Sequence, residues 1–173
     1  VLVEQKPEPA FLPKMERCNG RTMEIFRRMG IVEDVRAAGL HEDAPMDVFI
    51  VLSLTEPPLV RHGYPSVKQA RLDDRATNDG TAPCEPYQLI SQYTLEPVLR
   101  RLLDREPAVT QMWSTEYLSH EQDAQGVSVT VRRADGSTAT IRSAYLAGCD
   151  GGGSRVRQAL GIKDRKSTRL NSS

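Results

Sequence analysis

Hydrophobic positions along this chain follow two rhythms. Met23, Phe26 and Met29 recur at helical spacing after Thr22, a capping residue type, and Gly30 follows them. The spacing predicts a helix capped by Thr22 and ended by Gly30, then a second short helix over Ile31 to Ala38 closed by Gly39. Leu95, Val98, Leu99, Leu102 and Leu103 make Thr94 to Asp104 the clearest helix, with its apolar stripe assigned to core packing. The second rhythm has a period of two. Val127, Val129 and Val131 alternate with Ser128 and Thr130, the pattern of a half-buried strand. Strands are predicted over Glu116 to Gln122, Val127 to Arg133 and Ser137 to Arg142, with Asp135-Gly136 as the tight turn between the last two.

Short unbroken apolar runs complete the reading. Val1 to Val3, Val48 to Leu52, Val109 to Trp113 and Tyr145 to Cys149 read as strands; the run at 48–52 is expected to be buried, and the run at 109–113 to join a parallel sheet. Residues 55 to 86 hold five prolines and two glycines among many polar residues, which predicts mostly loop. The chain is therefore expected to be mixed α and β. No internal repeat interrupts it.

Two places carry candidate chemistry. At Tyr145 to Leu160 a short apolar strand meets Asp150, then Gly151, Gly152 and Gly153, then an amphipathic turn of helix that Gly161 stops. Glycines there allow positive φ and remove the Cβ that would hold a ligand away, so the backbone can approach a dinucleotide; a tight turn with no ligand is the plain alternative. At the other end, Val1-Leu2-Val3 runs into Glu4, where a carboxylate at a strand end can accept hydrogen bonds from ribose hydroxyls. The glycine fingerprint that accompanies such an acid would lie about 20 residues earlier, before residue 1.

Together these places resemble the FAD-dependent aromatic hydroxylases, the single-component flavoprotein monooxygenases of the phenol and 4-hydroxybenzoate hydroxylase type. The resemblance runs through Glu4-Gln5-Lys6-Pro7, Pro13 to Ile31, Ser91 to Leu99 and Tyr145 to Ile162, in order along residues 1 to 163. It implies an α/β fold: an incomplete Rossmann-like FAD-binding domain, a parallel sheet with helices, into which an antiparallel β meander is inserted. It also implies hydroxylation of a phenol-like ring with O2, using FAD reduced by NADH or NADPH. Glu4 would meet the adenosine ribose. Lys14 stands where the family has the Arg of a Pro-Arg-Ala triplet facing the pyrophosphate, and keeps the charge without the bidentate fork. Arg17 and Arg21 are alternatives for that role. Gln92 matches a glutamine near the ribityl and phosphate groups, and Asp150 with Gly151 matches the Asp-Gly motif, where Asp150 is expected to act by fixing the turn. No residue is assigned a catalytic role, because the hard chemistry belongs to the flavin.

The resemblance places the glycine fingerprint and most of the substrate pocket outside this chain, so the isolated segment is expected to hold FAD weakly and to fold without full cooperativity. It allows a homodimer of the full-length protein. A non-hydroxylating flavoprotein of the same superfamily and an inactive truncated product are the alternative readings. Residues 164–173 read as a non-native tail resembling a translated sequencing adapter.

Composition narrows the partners. The whole chain has 23 Lys and Arg against 23 Asp and Glu; without the tail, which holds Arg165, Lys166, Arg169 and Asp164, the balance is 20 against 22. That near-neutral balance, with arginines scattered, gives no electrostatic footprint for nucleic acid. No apolar run reaches the length of a membrane span, and no signal-peptide pattern opens the chain. Cys18, Cys84 and Cys149 are odd in number and widely spaced, which points to a reducing cytoplasm and away from disulfides or zinc; Cys149 is expected to be a small buried residue at a strand end. His41, His62 and His120 match no metal spacing.

Overall fold

The computed structural model describes residues 1–9, 12 and 14–163, so the tail reading at 164–173 and Pro13 of the second motif lie outside the described residues. In chain order the elements are β1 (Leu2–Val3), β2 (Arg17–Cys18), α1 (Gly20–Arg28), α2 (Val32–Ala38), β3 (Val48–Ile50), β4 (Val60–His62), α3 (Val67–Thr77), β5 (Gln88–Leu89), α4 (Gln92–Leu103), β6 (Gln111–Met112), β7 (Glu116–Asp123), β8 (Gly126–Arg132), β9 (Thr138–Ser143) and α5 (Arg155–Ala159). They form two compact units. Of the described residues, one unit combines 1–8 with 108–163, and the other is the middle of the chain, 9, 12 and 14–107.

In the first unit β1 pairs in parallel with β6, Leu2 opposite Gln111 and Val3 opposite Met112. The ladder continues past β1: the Glu4 amide donates to the Met112 carbonyl, and the Thr115 amide to the Glu4 carbonyl. The predicted meander forms as β7-β8-β9, all antiparallel. Its period-two valines face one way: Val127, Val129 and Val131 are buried, with Val3, Met112, Tyr117, Ile141 and Leu146 packed against them. At the turn Gly136 takes φ +82° and donates to the Arg133 carbonyl, while the Asp135 carboxylate accepts from the Ser137 amide. Aspartate and glycine thus supply an acceptor and a left-handed backbone, the two things the turn needs.

One strand expected here is absent. Among the described residues Tyr145 to Cys149 joins no ladder, although Leu146 packs on the valine cluster. An apolar run specifies extended chain but cannot supply its own hydrogen-bonding neighbour. Cys149 is correspondingly exposed rather than buried.

The second unit is built on helices. Cys18, Met23, Val32, Val35, Ile90, Leu95 and Val98 form its core, with Met15, Phe26 and Leu99 against them. The helix cap is Asn19, not Thr22: the Asn19 carboxamide oxygen accepts from the Thr22 amide at 2.9 Å, which places the helix start three residues earlier. Gly30 ends α1 at φ +77°, and Met29 is 62% exposed, leaving Met23 and Phe26 to carry the apolar face. The helix at 94–104 begins at Gln92, with Ser91 at its N-cap position; Pro97 stands in its second turn, where the ring removes one backbone donor.

One expectation fails in this unit and another misses two elements. Residues 55 to 86 are mostly loop, as expected, but they also contain β4 and the eleven-residue α3, capped by Ser66 and closed by Asn78 in the left-handed region. The prolines stand outside these elements, so composition over the whole window hid them. The apolar run at 48–52 does give a strand, but among the described residues β3 pairs only with β4 and both are exposed, with Phe49 at 53% and Leu52 at 82%.

Candidate cofactor site

In the first unit Glu4 sits at the end of β1, half-buried. Its Oε1 accepts the Lys6 amide at 2.8 Å, which closes a small turn and fixes the side chain. Among the described residues its second carboxylate oxygen has no hydrogen-bond partner, so an acceptor with two lone pairs remains for a hydroxyl.

Asp150 holds the glycine bend. Its Oδ1 accepts the Ser154 hydroxyl at 2.5 Å, and its Oδ2 accepts the Arg155 amide at 2.6 Å and the Val156 amide at 3.3 Å. Ser154 Oγ in turn accepts the Arg157 amide at 3.0 Å, so two side chains satisfy the amides at the start of α5. These donors, led by the Ser154 hydroxyl, hold the Asp150 carboxyl below the usual aspartate range. The bend itself stays open. Gly151 has φ +78°, and a Cβ on Gly151, Gly152 or Gly153 would meet nothing within 4 Å. Gly148 is different: a Cβ there would lie 2.9 Å from the Val156 side chain, so this glycine lets α5 pack against the extended segment. Arg155 pairs with Glu116 of β7 at 2.6 Å, and Arg132 pairs with the same carboxylate from the other side. Both guanidiniums lower the Glu116 pKa.

In the second unit Gln92 and the Lys14 segment are joined directly. Gln92 Oε1 accepts the Lys14 backbone amide at 2.8 Å, and its Nε2 donates to Glu96. The Gln92 amide donates to the Met15 carbonyl and the Ile90 amide to the Glu16 carbonyl, which extends the short β2–β5 ladder toward Lys14. The glutamine therefore shapes the segment, with a further amide hydrogen left for another acceptor. The three basic candidates differ. Arg17 lies 3.6 Å from Glu16 and Arg21 lies 3.4 Å from Glu24, both exposed, whereas the exposed Lys14 ammonium has no ion-pair partner among the described residues.

Each unit by itself offers groups that suit part of a dinucleotide-type cofactor: in the first, a carboxylate acceptor at a strand end and a glycine bend; in the second, the Lys14 cation and the Gln92 amide. Sequence reasoning missed the polar core between α2 and β5. Arg36, Glu85 and Gln88 are buried together, and nothing in their local sequence marks them, since charged residues are usually solvated.

Comparisons with known proteins bear on this set. The profile of the FAD binding domain family matches residues 1–172. The chain belongs to the FAD binding domain family. Among its relatives is a phenol 2-monooxygenase of Pseudomonas sp. (strain EST1001), 35% identical over 150 residues that cover 86% of this chain and 24% of that protein. A protein described as a probable NADH-specific resorcinol 4-hydroxylase of Rhodococcus jostii (strain RHA1) is 29% identical over 92% of this chain and 32% of its own length. The solved structure of the flavin-dependent monooxygenase PieE in complex with FAD and substrate matches 92% of this chain and 27% of that one, with TM-score 0.79 and 30% identity. The α/β fold with an antiparallel insertion is thus the fold of FAD-dependent monooxygenases. The chain spans about a quarter to a third of the length of these relatives. Among the described residues no helix is long and apolar enough to cross a membrane.

Proposed function

We propose that this chain is the FAD-holding segment of a monooxygenase that hydroxylates a phenol-like ring with O2, using NADH or NADPH as reductant. The observation that carries the reading is the pair of open corners in the first unit: Glu4 with an unused carboxylate oxygen, and the Gly151–Gly153 bend, where the space beside each missing Cβ is empty. Val3, next to Glu4, and Leu146, on the segment that leads to the bend, pack against the same valine cluster. Relatives named for phenol and resorcinol hydroxylation support the substrate class.

In this reading Glu4 accepts the ribose hydroxyls of the adenosine through charge-assisted bonds. Lys14, rather than the carboxylate-paired Arg17 and Arg21, faces the pyrophosphate. Gln92 holds the Lys14 backbone with its carbonyl and offers an amide hydrogen to the ribityl or phosphate groups. Asp150 binds through the bend it fixes, and Gly151 lets backbone come close. The flavin, when bound, supplies the oxygen-transfer chemistry, and the protein's part is to hold, orient and exclude water. The chain alone, spanning a minor part of its relatives, is inactive in this reading.

The test uses the full-length protein. It should bind FAD stoichiometrically and oxidise NADH or NADPH faster when a phenol is added, with hydroxylated product recovered. A purified protein that takes up no flavin would overturn the cofactor assignment. Oxidation indifferent to any ring compound would leave a flavoprotein but not a hydroxylase.

A further inference from the structure

We propose that the buried Arg36–Glu85 pair is a positioning device for the cofactor-facing part of the second unit, acting through Gln92 on the Lys14 segment; this rests on the flavin reading given above. Arg36 projects from α2 with its side chain only 7% exposed, and Glu85 beside it is 10% exposed. The guanidinium spreads over three acceptors: Glu85 Oε2 at 2.7 Å, the Pro86 carbonyl at 2.9 Å and Gln88 Oε1 at 3.0 Å. Gln88, fully buried, turns its amide to the Leu40 and Leu89 carbonyls. Arg71 approaches Glu85 at 3.5 Å, and Glu24 of α1 accepts the Cys84 amide. Residues 84 to 89 are thereby gripped by α1 and α2 through groups whose geometry is directional.

The gripped stretch leads straight into the cofactor-facing residues. Cys18 pairs with Gln88 and Arg17 with Leu89; then Ile90 bonds Glu16, Gln92 bonds Met15, and the Gln92 side chain takes the Lys14 amide. A slip of one residue at β5 would move Gln92 by about 3.3 Å and break that last bond. Apolar packing alone resists such a slip weakly, because β2 and β5 are two residues each. A planar fork with three acceptors at set distances resists it strongly. Burying two charges costs desolvation that packed apolar residues would avoid, so stability is a poor account of why a charged pair stands here, and register is a good one.

The test is a double-mutant cycle in the full-length protein, with FAD affinity read from quenching of flavin fluorescence and Lys14 amide exchange read in the apoprotein. Glu85→Gln should weaken FAD binding about tenfold, as outer-shell partners do at metal sites, and should speed Lys14 exchange. Gln92→Ala should do the same, and the double variant should bind no worse than the more impaired single variant, because both act through one hydrogen bond. Additive losses would sink the proposal, as would Glu85→Gln leaving both readouts unchanged while only lowering thermal stability. If Glu85→Gln does not fold, Glu85→Asp, which keeps the charge on a shorter reach, replaces it in the cycle: the same non-additive losses support the linkage, and additive or absent ones overturn it. A wild-type protein that binds no FAD, yet whose Lys14 exchange responds to Glu85→Gln, would count against the flavin reading and still support the linkage.

Discussion

Asp150 shows how one side chain can fix a bend of three glycines. Its carboxylate accepts one hydroxyl and two amides, and this keeps three glycines from collapsing into other turns. Those bonds favour the charged form, so the folded pKa is lowered from its ordinary 3.8. The sign of the linkage follows. The contribution is fully present above that ordinary value and is lost as pH falls through the lower folded value. In a carbon-detected NMR titration, Asp150 should therefore show a midpoint below 3.8, and the Arg155 amide shift should move with it. Asp150→Ala should speed amide exchange at Arg155 and Arg157 and weaken FAD binding in the full-length protein. Unchanged exchange would mean that the bend does not depend on this carboxylate.

At the scale of elements, glycines in the meander divide by what surrounds them. A Cβ on Gly126 would lie 2.3 Å from the Ser143 carbonyl oxygen, at φ +138°, so the neighbouring strand occupies the space. Gly136 has φ +82° with nothing near its missing Cβ. Gly136→Ala should then cost only the left-handed backbone, about 1–2 kcal/mol. Gly126→Ala must also move β9, and should loosen the ladder from Val127–Ser143 onward. Hydrogen exchange across β8 and β9 distinguishes the two: broad loss of protection in Gly126→Ala, loss confined to the turn in Gly136→Ala. Equal effects would mean that β9 shifts without cost. The β3–β4 hairpin makes the opposite point, since its apolar residues form a ladder and still remain exposed.

As a whole, the described chain has two cores that share no member. The first unit is closed by residues from both ends of the described chain, the second by its middle. Trp113, the single tryptophan, belongs to the first unit, while α1 to α4 all belong to the second. The two signals thus report different cores. In urea, tryptophan fluorescence and the helical circular dichroism band of the isolated chain should give midpoints that do not coincide. A single shared transition would show that the chain folds as one cooperative body, against the expectation drawn from the sequence. The same isolated chain should take up FAD far more weakly than the full-length protein.

Much of the local structure was legible in the residues. The Val127-Val129-Val131 alternation set the face of β8, Asp135-Gly136 made its turn, and the leucine spacing after Gln92 made α4, because each depends on neighbours close in sequence. The motifs at Glu4, Gln92 and Asp150 pointed to the FAD-binding family for a similar reason: short stretches of residue types carry the chemistry of a turn or a strand end. Tertiary structure decided what depends on partners far along the chain. Whether Val48–Leu52 is covered, whether Tyr145–Cys149 gains a ladder and whether Arg36 meets Glu85 across 49 residues are questions of which surfaces come together. Burial and hydrogen-bond pairing are properties of two segments at once, and no single stretch of sequence contains both.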